Sequence, residues 1–78
     1  MLNYEESKAI AEERAKAFDA IVDKAFKLGD NYVFDSSKEE YAGVIPFVVD
    51  VNSGEIKDLW NYLNEADLTM DDMQEIEF

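Results

Sequence analysis

Gly43-Val44-Ile45-Pro46-Phe47-Val48-Val49-Asp50-Val51-Asn52-Ser53-Gly54-Glu55-Ile56-Lys57-Asp58 is the stretch on which the fold turns. Val44–Asp50 is β-branched and aromatic, the composition of a buried strand. Val51–Gly54 supplies a turn with glycine at a left-handed position, and Glu55–Asp58 returns as a short strand. Phe47–Val51 against Ile56–Leu59 therefore reads as a hairpin. Pro46 has no N–H to give a ladder, which predicts that it lies where its strand lacks a partner on that side, or at a bulge. Just upstream, Asn31–Asp35 has the alternation of another short strand, with Tyr32 and Phe34 on one face and Val33 on the other. Ser36–Glu40 reads as a polar connection.

Toward the N-terminus, no Gly or Pro interrupts Asn3 to Leu28, and Ile10, Ala11, Ala17, Phe18, Ile21, Val22, Ala25 and Leu28 recur at three- and four-residue intervals. That spacing predicts one long amphipathic helix. Asn3 and Glu6 have the separation of a capping box, and Gly29 suits the left-handed residue that closes a helix. Toward the C-terminus, Leu59–Leu63 predicts a short helical turn. Thr69, with Asp72 three residues on, predicts a cap opening a last helical segment to about Ile76. Leu59 and Leu63 face inward together, leaving Trp60 as the expected buried aromatic and Tyr62 as the exposed one. The expected fold is α+β, a single domain over residues 1–78: one long N-terminal helix on a three-stranded antiparallel sheet, with short C-terminal helices. Ile10, Phe18, Ile21, Val22, Phe34, Ile45, Phe47, Val49 and Ile56 are the expected core.

Composition restricts function more than any motif does. The 78 residues contain no Cys and no His, so thiolate metal sites and the commonest general base are missing. Asp50-Val51-Asn52-Ser53-Gly54 begins like a calcium loop, but glycine falls at the fifth position and Asn61 stands where the closing Glu belongs. A hairpin turn accounts for the same residues. Paired carboxylates could in principle hydrolyse a glycoside, yet so short a chain has few residues left to wall a cleft, and no Gly-rich phosphate loop or Ser-His pair exists. The expectation is a non-enzymatic protein with no catalytic residues, no cofactor and no metal. Neither a membrane span nor a basic, apolar leader is visible, which makes the cytoplasm the expected compartment.

Nineteen acids against seven bases give a net charge of -12. The imbalance is local, because residues 1–30 are nearly balanced whereas residues 58–78 contain seven acids and no base. Such a field repels nucleic-acid phosphates and attracts a basic protein, chiefly by raising its association rate. Asp58, Tyr62, Glu65, Asp67, Asp71 and Asp72 are the candidate partner-binding residues. The edge Glu55–Asp58 is the alternative surface, acting through backbone pairing.

Tyr32-Val33-Phe34 followed by Gly43-x-x-Pro46-Phe47-Val48-Val49-Asp50 and the turn Ser53-Gly54-Glu55 resembles the YrhB-like bacterial immunity proteins, immunity family thirty-five of the polymorphic toxin systems. The resemblance spans roughly residues 4–58. It implies an N-terminal helix, an aromatic strand and a hairpin, and a protein that neutralises a partner toxin, which could be a nuclease with a basic groove. Two other classes fit the same charge: a phage- or plasmid-encoded nucleic-acid mimic that blocks a restriction or CRISPR effector, and a structural subunit without inhibitory activity.

Overall fold

The computed structural model describes residues 1–38 and 41–76, with side chains outside 37–45. Helix α1 (Tyr4–Lys16) is followed by strands β1 (Ile21–Leu28), β2 (Asn31–Lys38), β3 (Tyr41–Val49) and β4 (Ile56–Asp58). Helix α2 (Leu59–Ala66), a 3-10 turn at Met70–Asp72 and strand β5 (Gln74–Ile76) complete the order. The sheet runs β4-β3-β2-β1-β5 with every pair antiparallel, so β1 to β4 form a meander and β5 returns to the far side of β1. The class is α+β as expected, but the sheet has five strands instead of three.

The N-terminal capping box is present, with Asn3 Oδ1 accepting from the Glu6 N–H at 2.8 Å and Glu6 Oε1 accepting from the Asn3 N–H at 3.1 Å. The helix stops at Lys16, however, and the expected continuation to Leu28 is a strand. Asp19 takes a left-handed backbone (φ 57°) while the Ala20 N–H reaches the Ala15 carbonyl at 2.9 Å and the Asp19 N–H the Lys16 carbonyl. This is the Schellman pattern, here with Asp where Gly is usual. Val22, Ala25 and Leu28 are all buried and three apart, which mimics a helix for two physical reasons. A bulge between Val22 and Lys24 shifts the strand's face by one residue, and both faces of β1 are covered, so burial does not alternate. Gly29 and Asp30 form the two-residue loop between β1 and β2, and Gly29 at φ 62° suits the first central position of a type II′ turn.

One sheet face packs under α1. Its side chains there, Ser7, Ala11 and Ala15, are small and fully or nearly buried, which lets the helix lie close over Ala25, Phe34 and Val49. Tyr4 adds ring contacts to Tyr32 (5.4 Å, edge-on) and Phe34 (6.2 Å, stacked). The opposite face carries Leu28, Val33 and Val48, covered by Leu59 and Leu63 of α2, with Phe26, Tyr62, Leu68 and Met73 around them. There are thus two core layers, one on each side of the sheet. Of the expected core, Val22, Phe34 and Val49 are buried, and Ile10, Phe47 and Ile56 are partly buried against them. Phe18 and Ile21 are 50% and 74% exposed, because the helix that would have turned them inward ends before them. The Ile45 side chain lies outside the described residues.

The hairpin β3–β4 pairs Phe47 with Asp58 and Val49 with Ile56. Pro46 occupies a bulge: Phe34 faces Phe47 and Ser36 faces Val44, so β3 has one more residue than β2 between these pairs. Gly54 is left-handed (φ 77°) in the turn. The expected final helix is corrected, since Thr69 and Asp72 do form a capping box, but only over one 3-10 turn. Gln74–Ile76 then joins β1 as an edge strand. Buried Asn31, at the start of β2, fixes the chain just past the end of β3, its Oδ1 accepting from the Val51 N–H at 3.0 Å while the Val51 carbonyl accepts from the Leu2 N–H at 2.7 Å.

Candidate functional site

The acidic third of the chain occupies one region, built on α2 and the segment that follows it. Asp58 starts α2, its Oδ1 accepting from the Trp60 N–H at 2.8 Å. Asp67 ends α2 in a left-handed conformation (φ 55°), with the Leu68 N–H bonded to the Leu63 carbonyl at 3.0 Å. Asp72 accepts from the Thr69 N–H at 2.8 Å and Asp71 lies beside it in the same turn. Asp58, Glu65, Asp67, Asp71, Asp72 and Glu75 are all exposed. Several of these acids therefore have a local structural task in capping, which leaves part of each carboxylate facing solvent. The last acid of the run, Glu77, lies outside the described residues.

The aromatic assignment is reversed relative to the sequence reading. Tyr62 is half-buried and packs with Leu59 and Leu63, since three-residue spacing from Leu59 places it on the same helix face. Its hydroxyl lies 3.3 Å from where a Cβ on Gly29 would stand. Trp60, one residue past Leu59, points away from the core and is 53% exposed. A helix that buries positions 59, 62 and 63 has Trp60 on its outer side, a rule that three-residue spacing alone could have supplied.

Lys57 marks the border of the acidic region. Its Nζ lies 3.5 Å from Asp50 Oδ2 and 3.9 Å from Glu65 Oε2, tying the β3–β4 turn to α2. Asp50 also accepts from the N–H groups of Asn52 (2.8 Å) and Ser53 (3.4 Å). These backbone bonds, the Asn52 one foremost, with Lys57 adding to them, hold its carboxyl below the usual carboxylate range. The five residues that open like a calcium loop are an Asx turn, in which Asp50 Oδ1 accepts the backbone bonds while Lys57 engages Oδ2 from outside. At the bulge of β1, burial and the neighbouring charge of Asp23 push the Asp35 carboxyl up, against the Ser36 N–H and Lys24 that favour its charged form. Of the alternative binding surface, Glu55–Asp58, the last three residues form β4, an outermost strand of the sheet.

Among the described residues no group of His, Cys, Asp or Glu has the arrangement of a metal site, and no helix is long and apolar enough to cross a membrane. Compared with known proteins, the chain matches no family model, no curated protein and no solved structure.

Proposed function

We propose that this chain is a non-enzymatic binding protein that neutralises a basic protein partner, in the manner of an immunity protein acting on a toxin. The observation that carries the reading is the half-exposed Trp60 on the outer side of α2, within a segment whose acids, among the described residues, are all exposed and which has no base from residue 58 onward. Tryptophan contributes large contact area with few rotamers, and surrounding charge supplies steering and selectivity. The net charge of -12 and the resemblance of residues 4–58 to YrhB-like immunity proteins point the same way. Asp58, Glu65, Asp67, Asp71 and Asp72 would meet the partner's cations, with Trp60 in the anchoring role that the sequence reading gave to Tyr62.

The test is affinity capture from the native cell, followed by kinetics with the recovered partner. A basic protein whose toxicity or nuclease activity is suppressed in the complex is the expected result. Replacing Asp67, Asp71 and Asp72 together by Asn should slow association several-fold at low salt, and Trp60→Ala should speed dissociation. A partner that keeps full activity when bound, or that binds both variants as it binds the wild type, refutes the proposal. Recovery of a restriction or CRISPR effector would select the nucleic-acid mimic instead.

A further inference from the structure

A pocket of about 330 Å³ opens on the α1 side of the sheet, between the end of the helix and strand β4. Its walls include Arg14 and Phe18 from the end of α1 and its turn, Ser36 from β2, Phe47 from β3, and Ile56 and Asp58 from β4. The volume is at the small end of the range for ligand sites, and mostly apolar walls with a few polar groups are their usual construction.

Three features define what would fit. First, Ser36 is 2% exposed, and its Oγ has no hydrogen-bond partner. A buried hydroxyl left unpaired costs stability, so a donor or acceptor reaching it gains more than it would at a surface. Second, Arg14 is the chain's single arginine and makes no ion pair with the described residues; its guanidinium carbon stands 5.1 Å from the centre of the Phe18 ring. A guanidinium held over a ring keeps its in-plane N–H groups for a carboxylate. Third, Phe18 and Phe47 offer ring surface, and Phe18 is half exposed although the chain needs its aromatics for a small core. The other charges at the pocket are already engaged: the Lys57 ammonium lies against Asp50 and Glu65, and Asp58 accepts from the Trp60 N–H. Asp58 also disfavours an anion on its own side, which directs a negative group to Arg14.

We propose that this pocket binds a small hydroxyaromatic carboxylate, with the carboxylate on Arg14, the ring against Phe18 and Phe47, and the hydroxyl on Ser36 Oγ. The pocket borders the acidic surface at Asp58, but the groups that would hold the ligand, Arg14, Phe18, Ser36 and Phe47, lie outside that surface, so the inference stands independently of the proposed inhibitory function.

Three probes dissect it: 4-hydroxyphenylacetate has all the groups, phenylacetate lacks the hydroxyl, and tyramine replaces the carboxylate by an ammonium. Each is titrated to about 10 mM into isotopically labelled protein, a level that fills most of a site with Kd of about 1 mM. The amide signals of Arg14, Ala15, Ser36 and Phe47 should shift with 4-hydroxyphenylacetate. Phenylacetate should bind about two- to tenfold more weakly, and tyramine at least about tenfold more weakly. Arg14→Gln should remove the preference for the acid over the amine, and Ser36→Ala the preference for the hydroxylated acid. Ser36→Ala deletes only an unpaired hydroxyl, so an unchanged spectrum without ligand verifies that its fold is intact. No shifts at these amides, tyramine binding as well as the acids, or a hydroxyl preference that survives in Ser36→Ala each overturns the proposal.

Discussion

Phe34→Ala and Phe18→Ala, measured side by side, separate the observed fold from a single long helix. Phe34 is fully buried between α1 and the sheet and touches Tyr4 and Tyr32 through ring contacts. Removing such a ring costs about 3–5 kcal/mol, because the transfer term is lost and a cavity remains. A 78-residue domain has about 4–12 kcal/mol in total. Phe34→Ala therefore removes a large part of the total, and at the low end of that range it leaves the protein barely folded or unfolded. Phe18 is 50% exposed, so it retains about half of the roughly 1.5–3 kcal/mol that full burial gives, and its loss opens no enclosed cavity. Adding a contribution of about 0.5–1 kcal/mol from the Arg14 contact gives about 1.3–2.5 kcal/mol. Urea titration followed by circular dichroism reads both, with m of about 1 kcal/mol/M for a domain this small. If Phe34→Ala has no folded baseline, Phe34→Leu and Phe18→Leu supply the comparison, with the larger loss again at the buried position. Equal losses for Phe18→Ala and Phe34→Ala would refute the reasoning, because they would put Phe18 in the interior of a helix that continues past Lys16.

The remaining predictions concern single groups. Gly29→Ala should cost about 1–2 kcal/mol in the same titration, since alanine resists φ 62° and its Cβ would crowd the Tyr62 hydroxyl; a loss of a few tenths would argue against this turn. The Asp35 carboxyl titrates above its unfolded value, so the folded state binds protons more readily and the charged form is a liability above that pKa. Asp35→Asn should thus raise the urea midpoint at pH 7, with the gain fading as pH falls toward about 3.9, the unfolded value; an equal gain at pH 3 and pH 7 would exclude the charge as its cause. Trp60→Ala should cost only about 1–1.5 kcal/mol despite removing the largest side chain in the protein, because about half of that ring faces solvent. A loss above about 2 kcal/mol would move Trp60 into the core and remove it from the interface.

What could be read from the sequence was what local chemistry decides. The Asn3–Glu6 box, the Gly54 turn, the Pro46 bulge and the start of α2 each depend on residues within a few positions of one another, and each is present. The failures concern residues whose conformation is settled by distant partners. Gly29 is left-handed whether it ends a helix or begins a hairpin loop, so the glycine could not distinguish them. Residues 21–28 form a strand because β2 and β5 flank them, and three-residue burial there reflects a bulge and two covered faces. Gln74–Ile76 is a strand only by virtue of pairing with β1. On the candidate surface, the acids were legible from composition alone. Which aromatic accompanies them required knowing that α2 buries Tyr62 along with its leucines.

That last strand also sets the kinetics. Each neighbouring pair from β1 to β4 joins segments adjacent in sequence, whereas Ala25 and Ile76 pair across about fifty positions. Closing the longer loop is entropically dearer for a ladder of only three residues, so the meander should form first and β5 should dock onto it late. In the native state the same imbalance makes β5 the part of the sheet that detaches at low free energy while the meander stays closed. Amide hydrogens of Ala25 to Lys27 whose ladder bonds run to β5 should then exchange faster than those bonded to β2, and each opening briefly turns β1 into an unpaired edge that a strand from another molecule could occupy.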